Sequence, residues 1–151
     1  MVQIIECDLL ECYCDVIIQS SNCQVVQGAG VAKVIRAKYP EVFVADQNNL
    51  LSPKEKLGTI LPVLLHGEAP FYCFLNYNQL YYGRDKRYVD YEAFYTCLEK
   101  SKQKCLDLNC KIIGLPFLMS SVNGGGDWNV IYSMILSVFN DYLVAVIICK
   151  I

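Results

Sequence analysis

The chain has 151 residues, a length that fits one domain able to bury a single substantial core. Its apolar content of 54% is above the globular average, yet no apolar run reaches the roughly 18 residues of a membrane span. Thirteen basic and fifteen acidic side chains leave a net charge of −2, which gives no general support to binding nucleic acid or an acidic membrane. We therefore predict one domain over residues 1–151 with no membrane segment.

Short apolar runs alternate with helical patterns along the chain. The runs predict strands, which would cover residues 2–6, 16–20, 60–65, 72–78, 112–117 and 145–150. Helical spacing predicts helices over 31–38, 91–107 and 128–139, with Asp90 and Asp127 as caps of the last two. The polar, proline-bearing stretch 47–56 would be a surface excursion. This alternation predicts a three-layer α/β domain, with a central sheet between helices.

Three polar or glycine-rich segments directly follow predicted strands, at 20–30, 76–83 and 120–127. In α/β folds ligands lie beyond the carboxyl ends of the strands, so these segments should converge on one cleft. Glycines at a helix start let backbone N–H groups approach an anion closely, as Gly28-Ala29-Gly30 would. A dinucleotide fingerprint would need a third glycine where Lys33 stands, and no Gly-Lys-Ser/Thr phosphate loop is present. With the second loop at Gly124-Gly125-Gly126, the pattern predicts a diphosphate held from two sides.

These motifs, in this order, resemble the macro domain family, whose members bind ADP-ribose. The matching pieces are Cys7-Asp8-Leu9-Leu10, Ser21-Asn22, Gly28-Ala29-Gly30-Val31-Ala32, Tyr39-Pro40, Asn76 to Gln79, Tyr82-Gly83-Arg84-Asp85, Asp90-Tyr91-Glu92 and Gly125-Gly126-Asp127-Trp128. The resemblance covers nearly the whole chain and implies a macro-type fold with a mixed central sheet. The last two clusters look like the ADP-ribose 1''-phosphate phosphatase-like branch of the family, which is akin to the branch that contains terminal ADP-ribose glycohydrolases.

The resemblance also implies site residues. Asp8 would accept a hydrogen bond from the adenine amino group, Asn22 would contact the distal ribose, and the first glycine loop would hold the diphosphate. The full implied set of ligand contacts is Asp8, Leu9, Ser21, Asn22, Gly28, Ala29, Gly30, Val31, Ser120, Ser121, Asn123, Gly124, Gly125 and Gly126. Each key residue also has a purely structural interpretation: a turn aspartate for Asp8, an Asx-turn for Asn22, and loop geometry for the glycines.

The second loop departs from the family pattern. Val122 stands where relatives often carry glycine, and it could narrow the approach to the ligand, while Ser120 and Ser121 could compensate as hydroxyl donors. The lysine that related glycohydrolases use covalently has no clear counterpart, since Gln79 cannot form a Schiff base, although Lys86 is nearby. Asn22 and Asp127 are the candidate catalytic residues. Asp127 could orient water or protonate a leaving oxygen, or it could simply cap the last helix.

The cysteines, the histidine and the tyrosine-rich segment add little evidence about function. The nine cysteines lack metal-ligand spacing, so we expect free and mostly buried thiols in a cytoplasmic, reducing compartment. The sole histidine, His66, has no visible partner, so we expect it to be structural or solvent-facing, and no cluster implies a metal or another cofactor. Tyrosines interleave with basic residues between Tyr77 and Tyr91, which could indicate stacking of single-stranded nucleic acid; net acidity favours a wall of the cleft instead.

The sequence therefore predicts a macro-type domain that binds ADP-ribose or its 1''-phosphate. The leading hypothesis for its activity is hydrolysis of ADP-ribose 1''-phosphate to ADP-ribose and phosphate. The alternatives are a binding module that recognises ADP-ribose without chemistry, a hydrolase that removes ADP-ribose from modified protein or nucleic acid, and a domain adapted to another nucleotide.

Overall fold

A computed structural model describes all 151 residues. The strands are β1 (Val2–Glu6), β2 (Val16–Asn22), β3 (Ile60–Leu64), β4 (Tyr72–Gln79), β5 (Ile112–Pro116) and β6 (Ala145–Lys150). The helices are α1 (Gly30–Lys38), α2 (Pro40–Gln47), α3 (Pro53–Lys56), α4 (Tyr91–Asp107) and α5 (Trp128–Val138). All six strands form one sheet in the order β1-β6-β5-β2-β4-β3, parallel throughout except for the antiparallel pair β3–β4.

The sheet separates two hydrophobic cores, because successive side chains of a strand point to opposite faces. On β2, Ile18 packs with side chains of α4 and α5, such as Phe94 and Ile131. Its neighbour Ile17 packs on the other face with Ile35 of α1 and residues of α2. Each fully buried side chain of this size stabilises the fold by roughly 1.5–3 kcal/mol. The three-layer fold with a mixed central sheet is confirmed.

The main differences from the predicted elements lie around the first glycine loop. β2 runs on through Asn22, so Ser21 and Asn22 belong to a strand and the turn begins only at Cys23. Tyr39 and Pro40 end the first helix as predicted, but Pro40 then opens α2, a helix missing from the prediction. The stretch 47–56 also contains the short α3, which begins with a capping box formed by Ser52 and Glu55.

Seven of the cysteines are free and buried, as predicted: Cys14, Cys23, Cys73, Cys97, Cys105, Cys110 and Cys149. The prediction is wrong for Cys7 and Cys12, which form a disulfide. The chain turns back after β1, and this brings the Cα atoms of the two residues to 6.1 Å. None of the helices combines the length and the apolar character needed to cross a membrane.

Candidate functional site

A cleft of about 580 Å³ opens at the carboxyl ends of β2, β4 and β5. The chain leaves β2 toward one edge of the sheet and leaves β5 toward the other, and such a reversal is where open α/β sheets bind ligands. The lining residues are Gln19, Ser20, Ser21, Asn22, Val26, Gly28, Ala29, Gly30, Val31, Ala32, Gln79, Tyr82, Gly83, Arg84, Pro116, Phe117, Leu118, Met119, Ser120, Val122, Asn123 and Gly124. The predicted convergence of three segments on one cleft is thus observed.

One wall is the glycine loop and the start of α1. The N-cap residue of α1 is Ala29, which has no side chain to accept a hydrogen bond, so side-chain capping is absent there. The first N–H groups of a helix have no partner within the helix. Here they belong to residues that line the cleft, Gly30 to Ala32. Together with the positive end of the helix dipole, they form a site for an anion.

The opposite wall is the loop after β5, and its backbone is unusual. Leu118 and Ser120 lie in the left-handed region, at φ of 62° and 60°. Non-glycine residues held there are uncommon and cluster at ligand sites. The loop also packs closely on itself: a Cβ placed on Gly124 would lie 2.6 Å from the carbonyl oxygen of Ser120. Position 124 therefore has no room for a side chain, and only glycine fits there.

Asn123 connects the two walls. Its Oδ1 accepts a hydrogen bond from Nε of Arg84 at 3.0 Å. Its Nδ2 lies so near Gly30 that a Cβ there would be 2.7 Å away. Arg84 is also the single charged side chain in the cleft lining. The positive charge of Arg84 and the uncapped helix start both favour a negatively charged ligand.

The floor of the cleft is polar at the ends of β2 and β4. The hydroxyl of Ser20 accepts hydrogen bonds from Oγ of Ser120 at 2.7 Å and from Nδ2 of Asn78 at 3.0 Å. This ties the end of β2 to the loop after β5. Two further lining side chains, Gln19 and Ser21, are buried and their polar atoms have no hydrogen-bond partner. Buried polar atoms without a partner are infrequent in folded proteins.

Asn22 lines the cleft, but its amide also holds a turn. Its Oδ1 accepts from the backbone N–H groups of Gln24 at 2.9 Å and Val26 at 3.4 Å. Its Nδ2 donates to the carbonyl oxygen of Val26 at 2.8 Å. The Asx-turn considered for this residue is therefore present, and it shapes the loop that leads to the glycines.

Six of the predicted ligand or catalytic residues lie outside the cleft lining: Asp8, Leu9, Ser121, Gly125, Gly126 and Asp127. The carboxylate of Asp8 accepts from the N–H of Leu10 at 2.9 Å, and Leu9 belongs to the core on the α1 and α2 side. Gly125 packs against the backbone of the 86–87 segment. The roles of these residues in binding stay predictions.

Asp127 lies at the start of α5 as its N-cap, where its Oδ1 accepts from the N–H of Asn129 at 2.8 Å. Its own N–H donates to the hydroxyl of Tyr91 at 2.9 Å. The structural interpretation of Asp127 as a cap is confirmed. Its carboxylate does not line the cleft, so the geometry gives no support to its predicted role in proton transfer.

Sequence reasoning missed an apolar part of the lining, Pro116 to Met119. Pro116 ends β5 and the other three directly follow it, and this position in the chain is the signal that could have identified them. The ring of Phe117 packs edge-on against Trp128 at 5.2 Å between centroids. Of the tyrosine-rich segment only Tyr82 lines the cleft, while the Arg87 guanidinium lies 4.3 Å above the ring of Tyr91.

His66 is exposed and lies outside the cleft lining. Its Nδ1 is 2.6 Å from Oε2 of Glu41, so the residue that had no partner in the sequence has one in the fold. Its ring also lies 5.3 Å from that of Tyr39. The expectation of a structural or solvent-facing histidine agrees with this placement.

The fold and the cleft together define the class: a three-layer α/β domain with a glycine loop and an uncapped helix start at the point where the strand order reverses. The chain belongs to the macro domain family, whose model matches residues 18–134. Among solved structures it is similar to the macrodomain of DarG from Mycobacterium tuberculosis, at 20% identity and a TM-score of 0.83, covering 100% of this chain and 99% of that one.

Two other solved structures are similar across the chain. The macrodomain of Thermus aquaticus DarG shares 20% identity at a TM-score of 0.77, with 100% of this chain and 99% of that one covered. Thermosipho africanus DarTG, solved in complex with ADP-ribose, shares 15% identity at a TM-score of 0.77, covering 99% of this chain and 42% of that one. At these identities the likeness shows the fold. The search of curated proteins gave no match.

Proposed function

We propose that the chain binds ADP-ribose in this cleft, with the diphosphate between the start of α1 and the loop after β5. The observation that carries the proposal is the uncapped first turn of α1, whose residues Gly30 to Ala32 line the cleft. Free N–H groups at a helix start bind phosphate oxygens. Arg84 adds a positive charge at the same cleft, which suits a diphosphate rather than a neutral sugar.

The rest of the cleft suits the other parts of ADP-ribose. Apolar side chains from Pro116 to Met119 offer a surface for a flat base, and the polar groups of Ser20, Asn22 and Gln79 can bond to ribose hydroxyls. The cavity volume of about 580 Å³ lies within the usual range of small-molecule sites. The solved complex of Thermosipho africanus DarTG with ADP-ribose, which has the same fold, supports this choice of ligand.

Binding has more support than hydrolysis of ADP-ribose 1''-phosphate, the activity that the resemblance implies. Phosphate-ester hydrolysis needs a group that moves a proton and positions water. The lining contains no carboxylate and no imidazole, and Arg84 and Tyr82 are its titratable side chains. Val122, with 65% of its surface exposed at the cleft, adds bulk where relatives often carry glycine. We therefore favour a binding module over a phosphatase or an enzyme that removes ADP-ribose from macromolecules.

Calorimetric titration tests the proposal directly. We expect saturable micromolar binding of ADP-ribose and much weaker binding of AMP and NAD, because AMP lacks the diphosphate and NAD carries a nicotinamide on the distal ribose. Absence of ADP-ribose binding would refute the proposed ligand. Incubation of the binding-competent chain with ADP-ribose 1''-phosphate should release no phosphate above background; release at a catalytic rate would restore the phosphatase hypothesis.

A further inference from the structure

A buried polar cluster joins the first glycine loop to α2 and β4. At its centre is Asp46, in the last turn of α2, with only 1% of its surface exposed. Its Oδ2 accepts a hydrogen bond from Nε2 of Gln27 at 2.8 Å, and its Oδ1 accepts from the hydroxyl of Tyr77 at 2.7 Å. Nδ2 of Asn49 donates to the same tyrosine oxygen at 3.2 Å.

These hydrogen bonds matter because a buried carboxylate needs donors. Removing one donor leaves a buried acceptor without its partner, which is destabilising, and more so when the acceptor is charged. Burial and the bond to Asp46 both raise the pKa of Tyr77, so its hydroxyl keeps the proton that it donates. Lys56 is also buried, with its ammonium 5.7 Å from the centre of the Tyr77 ring, where the positive charge is attracted to the face of the ring.

One of the two donors is directly next to the proposed diphosphate site. Gln27 immediately precedes Gly28, and Gly28 to Gly30 form the wall that leads into α1. Packing does not fix the loop at Gly28 itself, since a Cβ there would meet nothing within 4 Å. Tyr77, the other donor, lies on β4 and does not line the cleft. The carboxylate of Asp46 thus connects a loop beside the ligand to the rigid interior.

We propose that Asp46 and Gln27 are positioning residues for the diphosphate: their hydrogen bond holds the glycine loop where its N–H groups converge on phosphate oxygens. This inference rests on the proposed binding of ADP-ribose. Both side chains are buried and neither lines the cleft, so direct contact with the ligand is not part of this role. Their effect reaches the ligand through the backbone of Gly28 to Gly30, and a loop ordered in advance binds more tightly than one that must be ordered on binding.

Two variants separate positioning from stability. Gln27→Leu and Tyr77→Phe each remove one hydrogen bond to the same carboxylate, so both should lower the melting temperature. Only Gln27→Leu releases the glycine loop. By calorimetry at a temperature where both variants are folded, we expect Gln27→Leu to raise the Kd for ADP-ribose about tenfold, a loss of about 1.4 kcal/mol, and Tyr77→Phe to change it less than about twofold. If the leucine variant does not fold, Gln27→Met gives the same test.

A third variant, Asp46→Asn, should keep the glycine loop connected to Tyr77 by hydrogen bonds. In Asp46→Asn the side-chain oxygen can still accept from Tyr77, and the new amide can donate to Oε1 of Gln27, which has no partner at present. The glutamine only needs to reverse its amide. We expect Asp46→Asn to bind ADP-ribose with near-normal affinity. Asp46→Leu should bind ADP-ribose as weakly as Gln27→Leu does. Equal affinity in Gln27→Leu and Tyr77→Phe would overturn the inference while leaving ADP-ribose binding intact, whereas a wild-type chain that binds no ADP-ribose overturns the proposed function itself.

Discussion

At the scale of single residues, Gly30 is a point where the two walls of the cleft come close together. Its φ of +57° is costly for any side chain, by about 1–2 kcal/mol, and a Cβ would lie 2.7 Å from Nδ2 of Asn123. We predict that Gly30→Ala lowers the melting temperature and weakens ADP-ribose binding at least about tenfold. Thermal unfolding and calorimetry measure the two effects.

Gly28→Ala is the matched control for Gly30→Ala. A Cβ at Gly28 meets nothing within 4 Å, and its φ is not in the left-handed region. The control variant should keep the melting temperature of the wild type. Wild-type affinity in Gly30→Ala would show that the contact between Gly30 and Asn123 does not shape the site.

Single residues also mark where the sequence could not decide between interpretations. An aspartate before a helix suits both a cap and an acid catalyst, and an asparagine after a strand suits both an Asx-turn and a ribose contact. The structure resolves Asp127 as a cap, because its carboxylate bonds to the backbone of α5. Asn22 both holds its turn and lines the cleft. The type of a residue alone does not show which way its side chain points.

At the scale of elements, a substitution at the N-cap residue of α5 separates an effect on stability from an effect on catalysis. We predict that Asp127→Ala destabilises the fold by about 1 kcal/mol, because the first turn of α5 loses its side-chain acceptor. Affinity for ADP-ribose should stay within about twofold, a change of less than about 0.5 kcal/mol, since the carboxylate lies outside the cleft lining. Chemical denaturation and calorimetry check these two values.

Asp90→Ala provides a matched control, because Asp90 caps α4 by accepting from the N–H of Ala93 at 2.9 Å. Both variants should show similar losses of stability. If Asp127→Ala alone abolished a measured release of phosphate while ADP-ribose binding persisted, Asp127 would have a catalytic role after all.

Most elements were predictable from the sequence; α2 and the short α3 were not, and α2 shows why. The strands follow from apolar runs, and α4 and α5 from helical spacing with an aspartate before each. In α2 the residues Val42 to Ala45 are consecutive and apolar, so they show no helical period. Pro40 looked like the end of a helix, yet proline is also favoured in the first turn of a new one.

At the scale of the whole molecule, buried thiols should make stability depend on alkaline pH. Burial raises the pKa of Cys14, Cys73, Cys97 and Cys105 to about 12, from an ordinary value of 9.0. The unfolded chain loses these protons near pH 9 while the folded chain keeps them, so the free energy of unfolding falls as pH rises above that value.

We therefore predict a lower melting temperature at pH 10.5 than at pH 7.5, to be measured by circular dichroism in buffers of about equal ionic strength. Cys73→Ala removes one such thiol, and its melting temperature should fall less over the same interval. A melting temperature that is constant up to pH 10.5 would contradict the raised pKa values.

The order of the strands in the sheet could not be predicted from the sequence. Apolar runs identify strands, but which strands become neighbours depends on contacts between distant parts of the chain. The reversal between β2 and β5, which creates the cleft, is a property of that order. The convergence of three loops could still be predicted, since polar segments that follow parallel strands meet at one edge of the sheet.

The position of β6 in the sheet has a consequence for biosynthesis. β1 pairs with β6 alone, from Val2 opposite Val146 to Glu6 opposite Lys150. Because β1 is translated before β6, it has no partner in the sheet until β6 has been translated. Contacts so distant in sequence slow folding. We infer that the nascent chain can assemble β2, β3, β4 and β5 early, while the edge that contains β1 is completed only after synthesis of β6.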